Sequence, residues 1–394
     1  MSLNRRSLLF GGAALSFAGL ATACAPASKN SSGASDKGGE SAADVTGEVE
    51  GTLRIHAGGD TNVRDLWQDG LGPAFTKKYP KVTIKVDHDL HSERSQQSLA
   101  RLSAAGDGDS GMDFIDDGWV TDAADAKLLL NVSAKEIPAL GDVPQEALAQ
   151  GLGQAFPYRA SSVLLAYDTE QVATPPKTLK ELLTWIEQNP GKFAYNSPST
   201  GGSGSAFVTS VLDLYIPKDV RERMTTSYDE ADEKHWDKGW EELKRIGKFT
   251  YGQGTYPNGN EQSIELLVNG EVAMIPVWSD QFISGRESGK IPERVKATQI
   301  SNPSFAGGAS FLGIPKNSKN KPAALALAKF ALSPEGQQII STTMAGYPII
   351  PLEDMPEEIQ KKFDGIDTQN LGQGYFGDHE DNKAKLWDQK VPTA

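Results

Sequence analysis

Three short stretches hold the side chains whose types and spacing could do chemistry. The first is Thr200-Gly201-Gly202-Ser203-Gly204-Ser205, entered through Ser197-Pro198-Ser199. A catalytic elbow of the form G-x-S-x-G needs a glycine two residues after its serine, and Ser205 stands there instead. A phosphate-cradling P-loop needs lysine and then Ser or Thr after its last glycine, and the run has no lysine. A free linker does not fit either, because Phe207, Val208, Val211, Leu212 and Tyr215 form an apolar helix face directly behind it. Two readings stay open: a tight turn capping that helix, or a pocket wall. As a wall it would offer the hydroxyls of Ser199, Thr200, Ser203 and Ser205, and the free amides around Gly204, to a ligand.

The second stretch is Asp116-Asp117-Gly118-Trp119, at the end of an apolar run, and the third is Trp278-Ser279-Asp280. Asp60 and Thr61 take the same place after the first predicted strand. Open α/β sheets put ligands at the carboxyl ends of their strands, where Asp accepts from hydroxyls or ammonium groups and Trp offers a stacking face. A solvated turn beside a core Trp is the competing explanation. His88 and His91 lie near Asp87 and Asp89, but without an H-E-x-x-H pattern we read them as solvated surface and expect no metal. His56, His235 and His379 are isolated, so no Ser/His/Asp set can be assembled from spacing.

These residues need a scaffold, and the chain reads as one. "GTLRIHAGG" predicts a strand ending in a tight turn; Val63, Leu66, Trp67, Leu71, Phe75 and Tyr79 recur at helical spacing; "KVTIKVDHDL" alternates as a second strand. "SERSQQSLARLSAAG" predicts a helix before the strand of "GMDFIDDGW". A second region repeats the alternation, with a capping box at Thr178 and Glu181, strands in "KFAYNS" and "EVAMIPVW", and a helix start at Ser333-Pro334-Glu335. In "DEADEKHWDKGWEELKRIGKF", Trp236, Trp240, Leu243 and Ile246 read as the buried stripe of a solvated helix. Strands alternating with helices predict α/β lobes with largely parallel sheets.

The chain has 394 residues, a net charge of −13 and no Lys/Arg cluster, which excludes a nucleic-acid footprint. Its one cysteine excludes an internal disulfide. Arg5-Arg6 followed by an apolar stretch predicts a twin-arginine-like export signal over residues 1–23. Ala21, Thr22 and Ala23 before Cys24 resemble a lipobox, with Ala21 where leucine is usual, so Cys24 is the expected lipidation site. Residues 24–50 are poor in large apolar side chains and predict a flexible tether.

From about Leu53 onward the chain resembles the extracellular solute-binding proteins of bacterial ABC importers, family 1. The resemblance rests on "GPAFTKKYPKVTIKV", "MDFIDDGWVTDAADAKLLLNVS", "NGEVAMIPVWSDQ" and "FLGIPKNSKNKPAALALAKFALSPEGQQ". "PPKTLKELLTWIEQNPGKFAYNSPSTGGSGSAF" leans toward the branch of polyamine, thiamine and ferric-ion binders. No adjacent tyrosine pair suits iron. The resemblance implies a two-lobed, type II periplasmic-binding-protein-like α/β fold that closes on a hinge around its ligand. It places lobe 1 at 51–160 and 298–335 and lobe 2 at 161–297 and 336–394, with crossings near Tyr158–Ser162, Lys296–Pro303 and residues 333–340. It implies a cleft lined by Asp60, Thr61, Asp116, Asp117, Trp119, Tyr158, the Ser199–Ser205 turn, Trp278 and Asp280. The expected function is a non-catalytic, monomeric lipoprotein, with no cofactor, on the outer face of the cell membrane. It would deliver a small polar solute (polyamine-like, thiamine-like, sugar or phosphorylated) to an ABC permease. A secreted serine hydrolase using Ser203 or Ser205, and a sensory solute-binding lipoprotein, are the alternatives.

Overall fold

The computed structural model describes residues 40–143, 145–364, 366 and 372–392. The expected export signal and Cys24 lie outside the described residues.

Seven strands position everything else: β1 (Gly51–Gly59), β2 (Val82–Leu90), β3 (Phe114–Asp116), β4 (Phe156–Asp168), β5 (Met274–Trp278), β6 (Val295–Thr298) and β7 (Gly307–Leu312). In lobe 1, β1 runs parallel between β2 and β3, with Leu53 opposite Ile84 and Ile55 opposite Phe114. The helical face predicted after β1 forms, and Leu66, Trp67, Leu71 and Phe75 are buried against Leu53, Ile55 and Phe114. Side-chain alternation along the strands sends Ile115 to the opposite face, where it packs with Leu102, Trp119 and Leu129.

β4 joins the lobes. Phe156–Ser162 pair antiparallel with β7, which bridges back to β3 through Ile115 and Gly313. From Val163 onward the same strand pairs with β5 and β6, antiparallel to both. Its side chains follow: Phe156 and Tyr158 lie in the first core, Val163 and Leu165 in the second with Phe193, Phe207, Trp236 and Leu243. The predicted parallel sheet therefore holds for lobe 1 but not for lobe 2. The reason is directional: β4 carries the chain into the second lobe, and β6 starts it back. "KFAYNS" forms no strand; it runs extended along β5 and touches it through one parallel bridge, Phe193 to Met274.

Two expected boundaries move. The helix Pro334–Met344 belongs with lobe 1, where Ile340 and Met344 sit in the first core beside Phe330, so lobe 1 extends past residue 335. The chain then recrosses at Tyr347, which exchanges backbone hydrogen bonds with Ala160 of β4. The expected tether also shortens. Ala42 is 1% exposed in the lobe 1 core, Val45 and Val49 pack against it, and Ser41 bridges Asn131. Ion pairs from Glu40 to Lys321 and from Glu48 to Lys81, with backbone bonds to Asn131, help dock residues 40–50. No described helix is long and apolar enough to cross a membrane.

Candidate ligand cleft

The turn after β1 delivers Asp60 to the gap between the lobes. Its Oδ2 accepts from Asn260 Nδ2 at 3.0 Å and from Gln281 Nε2 at 2.6 Å, both on lobe 2. Beside it, Asn62 Nδ2 donates to Asp280 Oδ2 at 3.0 Å and the Thr61 hydroxyl donates to Glu261 at 3.4 Å. A polar seam thus holds the lobes together where the predicted strand ends meet. A cavity of about 640 Å³ opens along it, between Asp60, Thr61 and Asn62 on one side and Glu261, Gln281 and Ser284 on the other.

The Gly/Ser run meets both sequence readings halfway. Its helix spans Gly202–Asp213, and Asn196 does the capping: Asn196 Oδ1 accepts from Ser203 Oγ at 2.9 Å and from Gly204 N at 3.0 Å. Ser203 Oγ is also 2.8 Å from Asn260 Oδ1, and Ser203 is fully buried. Ser205 Oγ donates to Glu380 at 2.6 Å, and Glu380 also accepts from the buried Lys383. Among the described residues neither serine hydroxyl meets a histidine. Thr200 Oγ1 donates to Ser197 O and accepts from Gly259 N, while the exposed Ser199 hydroxyl lies 2.6 Å from that of Ser197. Trp278 packs closely against the turn: a Cβ on Gly202 would stand 2.7 Å from its indole. The open face of the run is Ser199 to Gly202, not the serines that follow.

Around β3 the acidic side chains turn inward. Asp116 Oδ2 accepts from Trp67 Nε1 at 2.8 Å and from the Tyr158 hydroxyl at 2.7 Å, and burial raises its pKa above the usual carboxylate range. Asp117 accepts from Ser92 Oγ at 2.8 Å and Gly118 N at 2.6 Å, and lies 3.1 Å from His56 Nε2. It folds so closely over β1 that a Cβ on Gly58 would stand 2.0 Å from its carboxylate. Trp119 is 3% exposed and packs on His56 at 5.5 Å between ring centroids. Asp116, Asp117, Trp119 and Tyr158 bond or pack within lobe 1, whereas Asp60, Thr61 and Asp280 bond across the seam, and Trp278 packs within lobe 2 against Gly202.

The cleft now has a family. The model for bacterial extracellular solute-binding proteins matches residues 71–364. The chain belongs to that family. Its two-lobed fold is shared with a putative extracellular solute-binding protein from Bordetella parapertussis (17% identity, TM-score 0.67, 86% of this chain and 98% of that one covered). It is shared also with the apo ferric ion-binding protein A of Pasteurella haemolytica (12%, TM-score 0.64, 87% and 98%). A third is the spermidine/putrescine substrate-binding protein PotD of Streptococcus pneumoniae (14%, TM-score 0.62, 86% and 98%). No curated protein matches the chain at a significant level.

Four polar residues of this solute-binding protein escaped sequence reasoning. Asn62, Asn260 and Gln281 complete the seam, but isolated amides carry no spacing signal. Arg159 did leave one: it is the lone charge inside the thirteen residues of β4 before Asp168, "FPYRASSVLLAYD". A shift of register between Pro157 and Arg159 puts its side chain beside that of Tyr158, and its Nε donates to the Tyr158 hydroxyl at 2.7 Å.

Proposed function

We propose that this chain is the receptor of an ABC importer, lipid-anchored at Cys24 on the outer face of the cell membrane, which traps a small polar solute between its lobes and delivers it to a permease. The observation that carries the reading is the seam at Asp60, where one carboxylate takes amide donors from two elements of the opposite lobe. Such contacts favour the closed state, and a ligand that binds closed lobes better shifts the population further. The acidic groups along the seam, Asp60 and Asp280, suit a solute with donor groups. Spermidine/putrescine and ferric-ion binding are written of neighbours too distant to pass their ligands on.

The test is a thermal-melt panel on detergent-solubilised full-length protein with polyamines, thiamine derivatives, sugars, amino acids and phosphorylated solutes. A ligand at 100 times its dissociation constant stabilises by about 2.7 kcal/mol, which a melt resolves. A riser without turnover supports the receptor. Covalent labelling of Ser203 or Ser205 by a phosphonate probe would overturn it in favour of the hydrolase.

A further inference from the structure

On the face of the lobe 1 sheet that carries Ile115, three buried side chains with metal-ligating atoms converge. His56, Asp89 and Asp117 are 1%, 2% and 5% exposed, and each presents a ligand atom within 4.8 Å of the other two. The strand register explains the meeting. His56 stands opposite Asp87 and Gly58 opposite Asp89, so these four positions share one face of the β1–β2 pair. Gly58 leaves a slot on that face, and the Asp117 carboxylate fills it: a Cβ there would stand 2.0 Å from Asp117 Oδ2. Two residues back along β1 lies His56, whose Nε2 is 3.1 Å from the same oxygen; across the pair lies Asp89. Neither His88 nor His91 belongs to the group.

Two buried carboxylates this close repel each other unless positive charge stands between them. Arg94 answers Asp89, with Nε at 3.2 Å, but its side chain is 45% exposed and is shared with Asp87. Among the described residues Asp117 meets the Ser92 hydroxyl, the Gly118 amide and His56, and no Lys or Arg. The imidazole itself is half-used. Its Nδ1 is buried without a hydrogen-bond partner among the described residues, and the Asp87 carboxylate stands 3.6 Å from it. A metal-bound imidazole turns its second ring nitrogen toward a carboxylate in just this sense. Two ligands of a tetrahedral zinc ion, each at about 2.0–2.1 Å, lie about 3.3 Å apart, close to the spacing of His56 Nε2 and Asp117 Oδ2.

We propose that His56 Nε2, Asp89 and Asp117 bind a divalent transition-metal ion, zinc by the chemistry of the donors, with Asp87 orienting the imidazole through Nδ1. The ion belongs to the scaffold, not the cargo: none of its three ligands lines the 640 Å³ cavity between the lobes. Gly58 is two residues before Asp60, so the ion stiffens the strand end that carries the seam.

The test is calorimetry on EDTA-stripped, detergent-solubilised full-length protein with zinc, manganese, calcium and magnesium, and melting midpoints read in parallel. We expect one equivalent of zinc, held at least about 10-fold more tightly than calcium or magnesium because imidazole favours the transition metal. The midpoint should rise with it. His56→Gln should abolish the zinc effect, and Asp87→Asn should weaken zinc by about 10–100-fold. Should His56→Gln not fold, Asp89→Asn keeps the contact of His56 with Asp117 and should still lose zinc. The 3.1 Å contact also suits an imidazole N–H donated to Asp117. If that bond is all there is, zinc gives neither heat nor a shift in midpoint, and the proposal falls. It falls also if zinc binds His56→Gln and Asp89→Asn as it binds the parent, which places the ion on surface carboxylates. Zinc that survives those changes but is lost in Asp60→Ala lies in the cleft as cargo, and that outcome overturns the proposal while keeping the receptor.

Discussion

Asp60 and Asn260 are 200 positions apart in sequence, and their side chains meet at 3.0 Å across the two lobes. Asn260 reaches over from the first turn of its helix while its Oδ1 takes Ser203 Oγ, so one amide ties the β1 turn, the Gly/Ser turn and its own helix together. Closure of the cleft and order in the Gly/Ser turn are therefore linked through a single side chain.

Asp60→Ala removes two interlobe hydrogen bonds at once. At about 0.5–1.5 kcal/mol each, the closed state should lose about 1–3 kcal/mol relative to the open one. Small-angle scattering of the ligand-free variant should show a larger radius of gyration; an unchanged radius would mean that the seam does not hold the lobes.

Ser203→Ala tests what that hydroxyl is for. It leaves Asn196 Oδ1 and Asn260 Oδ1 with one donor fewer in a buried site, and denaturant unfolding should show a loss of about 1–3 kcal/mol. Ligand affinity should change little by comparison. A large drop in affinity with intact stability would reassign Ser203 to the ligand.

Gly58→Ala forces a methyl group to within 2.0 Å of the Asp117 carboxylate, which Ser92 and Gly118 hold in place. Overpacking of this kind costs about 1–3 kcal/mol, and the melting midpoint should fall. A midpoint equal to that of the parent would show that Asp117 swings away freely.

Stability should also depend on pH through Asp122. The Asp122 side chain is exposed, but the protein crowded around it and the charges of Asp381, Asp378 and Asp125 push its pKa up to about 6. A carboxyl with a raised folded-state pKa binds more protons folded than unfolded, so stability declines as pH rises from about 4 to about 6 and is flat above. Asp122→Asn should flatten that decline. A residual slope should remain from Asp213, raised to about 6 chiefly by burial. A slope of the opposite sign in the parent protein would contradict the assignment.

Cys24→Ser should abolish incorporation of labelled fatty acid and release the protein from the membrane fraction. Labelling that persists in the variant would place the anchor elsewhere.

Much of lobe 1 was legible because its signals are local. The alternation in β2 and the apolar face from Val63 to Phe75 each specify their element without help, whereas Gly58 and Gly59, expected as a turn, are the last residues of β1 and pair with Asp89 and Leu90. In lobe 2 the capping box at Thr178 and Glu181 also forms as read, with Glu181 Oε2 accepting from Thr178 N at 3.1 Å. Lobe 2 was less legible. "KFAYNS" has strand composition, but β5 gives it only one bridge, and no local signal reports the neighbour's register. The strand-end rule picked Asp60, Thr61 and Asp280, which bond across the seam, and Trp278, which packs within lobe 2 instead. It also selected Asp116 and Asp117, which look alike in sequence yet turn to Trp67 and Ser92 instead. Which way a carboxylate turns depends on partners far along the chain, such as Trp67, and spacing is silent about those.

The crossing of β4 and the return of the Pro334–Met344 helix have a further result for biogenesis. Phe330, Ile340 and Met344 finish a core begun by Leu53 and Ile55, so the first lobe to start is completed only after the second has been synthesised almost in full. A ribosome stalled anywhere in between holds an open apolar face against β1. Until its last quarter arrives, the emerging chain lacks the side chains of Phe330, Ile340 and Met344 that cover this core.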